Sequence, residues 1–270
     1  MTNYIRFEDN SQENIQNSWE KMVEEVQCSY LLPPDRKKIC VDIGTNIGSF
    51  VYRAFDEGCF EQIYGFEPAF QTYHTALTIL KEKNVISPNI RISNLAVANE
   101  TGTIFRLHGN STGCSGDASL LPPKDPTGIQ TESCLSISLD DIFDYLQIDH
   151  IDYLKMDCEG AEAEILHACT RLSDISVIMA EIHGAPENAA LCCNFLQGKG
   201  FFAFQLRSRD IESGMPMIVA FNTNTNVGDI GGYYNIVDAQ RYTIGSLNPN
   251  IRELYDKARK EYEHTQKVTI

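Results

Sequence analysis

Strand-like and helix-like hydrophobic patterns alternate along most of the 270 residues. Ile39–Ile43 is a short apolar run with β-branched residues, the pattern of a strand buried on both faces. Gln62–Glu67, Asn89–Val97, Thr103–His108, Tyr153–Met156 and Ser176–His183 read as further strands. Phe201–Leu206 and Pro216–Phe221 are two more, and the polar connection between them permits an antiparallel return at a sheet edge. Helical spacing fills the intervals. Phe50–Phe55 continues from a turn as a helix, Tyr73, Ala76, Leu77 and Leu80 mark one that ends near Lys83, and Ser136–Phe143 opens a short one. Ala161, Ile165, Leu166 and Cys169 share a helix face, and Asn188–Leu196 is helical. Two amphipathic patterns lie outside this core: Ile15, Trp19, Met22, Val23 and Val26 predict a helix over 12–27, and Ile251, Leu254, Tyr255, Ala258 and Tyr262 another near the end. Residues 109–134 are small, polar and rich in glycine and proline, which reads as a lid or substrate loop or as a disordered insertion.

The stretch Asp42-Ile43-Gly44-Thr45-Asn46-Ile47-Gly48 joins the first strand to its helix. A strand, a glycine turn and a helix N-terminus form a nucleotide cradle, because glycine lets the backbone approach a ligand. The order is not G-x-G-x-x-G, and the Lys-Ser/Thr of a phosphate-binding loop is missing. An acid ahead of the first glycine opposes a pyrophosphate and suits a ligand with an ammonium group, such as S-adenosylmethionine; the competing reading is an Asp that caps a local turn. Glu67 ends the next strand 25 positions after Asp42, where an acid binds a ribose diol. Asn94 and Ala96 near the end of the third strand would face the same ligand edge, where an adenine could lie. The expected cofactor residues are therefore Asp42, Gly44, Asn46, Gly48, Glu67, Asn94, Ala96 and Asp157.

A second block, Ile151-Asp152-Tyr153-Leu154-Lys155-Met156-Asp157-Cys158-Glu159-Gly160-Ala161-Glu162, places acids at the carboxyl end of a strand. Ligands of open α/β sheets sit beyond those ends, so Asp157 and Glu159 should project into the cofactor crevice, and His183 ends a strand pointing the same way. Three roles compete for Asp157, Glu159 and His183. His183 or Asp157 is the general base for a hydroxyl acceptor; or the three hold Mg²⁺, which favours oxygen ligands; or Asp157 holds the methionine amine or caps the helix, and His183 is structural.

Composition narrows the partners. The formal charge of −15 and sequence pI near 4.8 oppose phosphate-backbone binding, which needs clustered Lys and Arg. A small-molecule or peptide acceptor is expected, with no nucleic acid and no membrane, and a homo-oligomer is compatible with the sequence. The nine cysteines are dispersed without a C-x-x-C pair, as in a reducing cytosol. Met1-Thr2-Asn3-Tyr4 has no apolar signal core and no stretch approaches a membrane span, so a cytoplasmic protein is expected.

Val-Asp-Ile-Gly-Thr-Asn-Ile-Gly-Ser-Phe at 41–50, Phe-Glu-Pro at 66–68, Leu-Asp-Asp at 139–141, the acidic block at 151–162 and Glu-Ile-His at 181–183 together resemble the FkbM family of S-adenosylmethionine-dependent methyltransferases. The resemblance covers roughly 38–210, and Cys158 stands where a branched aliphatic is more usual. It implies an α/β, Rossmann-like class I methyltransferase fold: a mostly parallel seven-stranded sheet with an antiparallel edge strand and helices on both faces. It also implies methyl transfer to oxygen in many members, so an O-methyltransferase acting on a small molecule or natural product, at a hydroxyl or at a peptide or acid carboxylate, is expected. A non-catalytic nucleotide-binding protein and an N-methyltransferase on a small amine are the alternatives. The expected organisation is an N-terminal helical extension over 1–37, the methyltransferase domain over 38–224 and a C-terminal extension with a terminal helix over 225–270.

Overall fold

The computed structural model describes residues 30–33, 35–110, 119–120, 129–185, 187–208, 216–224 and 242–244, together with Trp19 and Val23. The expected terminal helix, and the expected leading helix apart from Trp19 and Val23, lie outside the described residues, as does most of the glycine-rich loop.

The first half alternates β1 (Lys37–Ile43), α1 (Ser49–Asp56), β2 (Phe60–Phe66), α2 (Phe70–Glu82) and β3 (Ile90–Ser93). Three strands follow, β4 (Ala96–Ala98), β5 (Ile104–Asn110) and β6 (Ile129–Ser138), and then α3 (Leu139–Leu146). The second half runs β7 (Ile151–Met156), α4 (Glu162–Ala168), β8 (Ile175–Glu181), α5 (Asn188–Gly198), β9 (Phe201–Ser208), β10 (Met217–Asn222) and β11 (Tyr242–Ile244).

The main sheet has the order β11-β9-β10-β8-β7-β1-β2-β3. Pairing is parallel from β8 across to β3, and β10 is antiparallel to both β8 and β9. The chain therefore has the expected α/β fold with a mostly parallel sheet. Two details differ from expectation. The antiparallel strand β10 is not at the edge but lies inside it, between β8 and β9, and β11 adds an eighth strand by pairing with β9.

Helices cover both faces, and the period-two alternation of the strands assigns each side chain to one of them. Cys40, Ile63 and Tyr153 pack with Phe50, Val51 and Leu80 on one side. Val41, Ile43, Leu154 and Met156 pack with Ile142, Leu166 and Leu196 on the other. Residues 30–33 join the first of these layers. Leu31 and Leu32 are buried there, and Tyr153 donates its hydroxyl hydrogen bond to the Leu31 carbonyl.

Two expected elements are corrected. Asn89–Val97 is not one strand: it breaks at Asn94, whose side-chain amide donates to the carbonyls of Glu67 and Pro68, both at 2.9 Å. The chain then leaves the main sheet, and β4 joins β6 and β5 in a second, three-stranded sheet. Ser136–Ser138 does not open a helix but ends β6; α3 begins at Leu139 because Ser138 caps it, accepting a hydrogen bond from the Asp141 amide at 3.1 Å. The seven described cysteines are free thiols, and no helix among the described residues is long and apolar enough to cross a membrane.

Candidate active site

The carboxyl ends of β1, β2 and β7 open onto one cleft. Gly44, Asn46, Glu67, Asp157 and Glu159 are among its polar lining, and Phe66, Ala96, Val97, Leu107 and Leu120 among its apolar lining. The turn after β1 is shaped by backbone contact. Gly44 has φ +77°, and a Cβ there would lie 1.7 Å from the Asp157 carbonyl oxygen. Only glycine lets the turn lie against the chain leaving β7. Asn46 also takes a left-handed conformation at φ 51°.

Glu67 is almost fully buried, and its carboxylate is fixed by two backbone amides: Asn46 N–H donates to Oε2 at 2.8 Å and Ala69 N–H to Oε1 at 2.9 Å. Burial pushes its carboxyl up to about 7 against the pull of those amides.

Asp42 does not reach the cleft. It is fully buried, and its register partner on β7 is Lys155, whose Nζ lies 3.1 Å from its Oδ1. The same ammonium donates to the Gly44 carbonyl at 2.8 Å and lies 3.8 Å from Asp157 Oδ2. Burial opposes the charge on both partners. It raises Asp42 against Lys155's pull, while on Lys155 it is outweighed by Asp42 and Asp157, which hold the amine above its ordinary value. The lysine governs the pair, because two carboxylates and a carbonyl surround one ammonium. The ammonium-binding role expected of Asp42 is thus taken by an internal partner, in the free protein.

Gly48 packs against Leu80 instead of lining the cleft, and Asn94 faces the Glu67–Pro68 backbone. Both act on the cradle's shape. Gly44, Asn46, Glu67, Ala96 and Asp157 are brought together along the cleft wall.

Asp157 follows β7 and is half-buried; Tyr30, from the segment before β1, donates its hydroxyl to Oδ2 at 3.0 Å. Glu159 lies 3.4 Å from His183 Nε2 through its Oε2. On the other side of the ring, Nδ1 meets Glu162 Oε1 at 3.0 Å. Glu162 is fully buried and also accepts from the amides of Cys158 and Gly160. Burial alone would lower the imidazole, but Glu162, Glu159 and Asp157 push it up to about 10. Burial raises Glu159 to about 8, with His183 pulling the other way. The three acids around the ring thus favour the protonated imidazole in the free protein.

Lys155, Glu162 and Tyr30 were missed as site residues. A lysine in the apolar run Tyr153–Met156 was a usable signal, since a buried ammonium needs an acid partner. Tyr30 carried no local signal.

The methyltransferase FkbM domain model matches residues 42–203, a span that contains the residues lining the cleft. The chain belongs to the FkbM methyltransferase family. Among solved structures, this family member is similar to the FkbM methyltransferase of Methylobacillus flagellatus KT, with 17% identity and a TM-score of 0.50 over 69% of this chain. That match spans 44% of the other protein's length, so this chain corresponds to under half of it. It is also similar to TrmK of M. capricolum in complex with S-adenosylhomocysteine, at 12% identity and TM-score 0.44 over 91% of this chain and 96% of that one. The Sp1610 protein of Streptococcus pneumoniae in complex with S-adenosyl-L-methionine matches at 10% identity and TM-score 0.44, over 92% and 90%. No curated protein sequence matches the chain significantly.

Proposed function

We propose that this FkbM-family protein is an S-adenosylmethionine-dependent O-methyltransferase of the cytoplasm, acting on a hydroxyl or carboxylate of a small molecule, natural product or peptide. The observation that carries the reading is Glu67: a buried carboxylate held by two amides at a cleft lined by both apolar and acidic side chains.

The donor set fits that cofactor part by part. Glu67 presents oxygens to a ribose diol. Phe66, Ala96, Val97 and Leu107 offer an apolar slot of the kind an adenine fills. The Gly44 turn lets backbone approach the amino-acid end. The cofactor supplies a methyl group on a sulfonium, a good leaving group. The chain's own task is positioning, which can supply about 7–11 kcal/mol of a barrier. A carboxylate acceptor needs only orientation. A hydroxyl acceptor must also release a proton, and Asp157 on the cleft wall and His183 beside it are the candidate bases.

Calorimetric titration of the full chain with S-adenosylmethionine tests the first half; micromolar-range binding weakened by Glu67→Ala is expected, and no binding refutes it. Incubation with cell extract and methyl-labelled cofactor tests the second: an O-methylated labelled product is expected. A product labelled on nitrogen or carbon would remove the O-methyl assignment.

A further inference from the structure

The acid–histidine cluster beside the cleft is built beyond what methyl transfer to a carboxylate requires. One donor atom each from Asp157, Glu159 and His183 lies within 4.8 Å of the other two, on half-buried side chains. We propose that these three residues bind a divalent transition-metal cation at the edge of the cleft, with Glu162 as the positioning residue that aims the imidazole. The proposal rests on the methyltransferase reading for the purpose of the site.

Geometry supports it first. His183 Nε2 and Glu159 Oε2 are 3.4 Å apart. Two ligands each ~2.1 Å from a tetrahedral metal are separated by ~3.4 Å. Asp157 is the farther donor; Tyr30 engages its Oδ2.

The support behind the imidazole is the second observation. Metal-bound histidines donate their other ring N–H to a carboxylate, which fixes ring orientation. Glu162 is placed to accept such a bond from His183 Nδ1 at 3.0 Å, and is itself locked by two backbone amides. Its Oε2 is buried and has no hydrogen-bond partner.

Charge balance points the same way. Asp157, Glu159 and Glu162 share the imidazole of His183 and the ammonium of Lys155, and that ammonium lies closer to Asp42, at 3.1 Å, than to Asp157, at 3.8 Å. The donor set also selects the ion. One imidazole nitrogen with two carboxylates suits Mn²⁺, Fe²⁺ or Zn²⁺, whereas Mg²⁺, the ion expected from the sequence, prefers oxygen throughout. Three protein ligands leave positions open for an acceptor oxygen.

The test uses Mn²⁺ as probe on the full chain after chelator treatment, followed by electron paramagnetic resonance. One saturable site is expected, with a nitrogen coupling in the pulsed spectrum from His183 and little displacement by a tenfold excess of Mg²⁺. His183→Gln and Glu159→Gln should each weaken Mn²⁺ at least about tenfold, and the first should erase the nitrogen coupling. Glu162→Gln should weaken it about 10–100-fold and alter the coupling without removing it. Circular dichroism and a cofactor titration check that each variant is folded. An absence of saturable Mn²⁺ binding, or binding unchanged in His183→Gln, overturns the proposal. If S-adenosylmethionine binds and Mn²⁺ does not, the metal site alone falls; if Mn²⁺ binds and the cofactor does not, the cofactor reading falls instead.

Discussion

Lys155→Met is the sharpest probe of how the cradle is held. The methionine keeps the stem's bulk but removes an ammonium that lies 3.1 Å from Asp42 Oδ1 and 2.8 Å from the Gly44 carbonyl. The two side chains are 4% and 0% exposed, so solvent screens little. Removing one partner of a buried pair costs about 3–5 kcal/mol, and a lost hydrogen bond about 1 kcal/mol more. The cost falls if the orphaned Asp42 binds a proton. Burial already raises that carboxyl, and without the lysine it rises further. A raised carboxyl contributes stability below its unfolded value and loses it as pH rises through the folded value, so the variant should be hurt more at pH 8 than at pH 5. The assay is urea unfolding followed by circular dichroism, for wild type, Lys155→Met, Asp42→Asn and the double variant. The double variant should recover at least half of the loss, because it removes the stranded charge. A Lys155→Met protein within about 1 kcal/mol of wild type, or losses that simply add in the double variant, would refute the pairing.

Gly44→Ala should destabilise the protein by at least about 3 kcal/mol and abolish cofactor binding. Gly58→Ala, at φ +65° with nothing within 4 Å, should lose only the ~1–2 kcal/mol of left-handed strain; equal unfolding midpoints for the two would contradict the close approach to Asp157. Glu67→Gln leaves one carbonyl oxygen for two amides and a ribose, so S-adenosylmethionine should bind about tenfold more weakly by calorimetry. His183 is raised from 6.5 to about 10, so its contribution is complete below about pH 6.5 and is lost as pH climbs to about 10. The melting temperature of the ligand-free protein should therefore fall across that window, and His183→Gln should flatten the fall.

What could be read from the sequence was local. The Asp42–Gly48 turn, Glu67-Pro68 and the acids after Met156 each sit where a strand period gives way to a turn, and those boundaries show in a few residues. What could not be read was set by pairing between distant strands. Asp42 resembles a ligand-facing acid until β1 is laid beside β7, where Lys155 becomes its register neighbour. Asn94 resembles a strand residue until its amide is seen closing the turn below Glu67. The stretch from Lys155 to Glu162 then acquires a single physical sense. Its lysine reaches under the glycine turn, Asp157 and Glu159 face the cleft, and Glu162 turns inward to His183. Eight residues thereby tie the glycine turn at the cleft to the acid–histidine cluster beside it. A substitution at either end of the stretch should consequently be felt at the other through Asp157, which touches both the ammonium of Lys155 and the neighbourhood of His183.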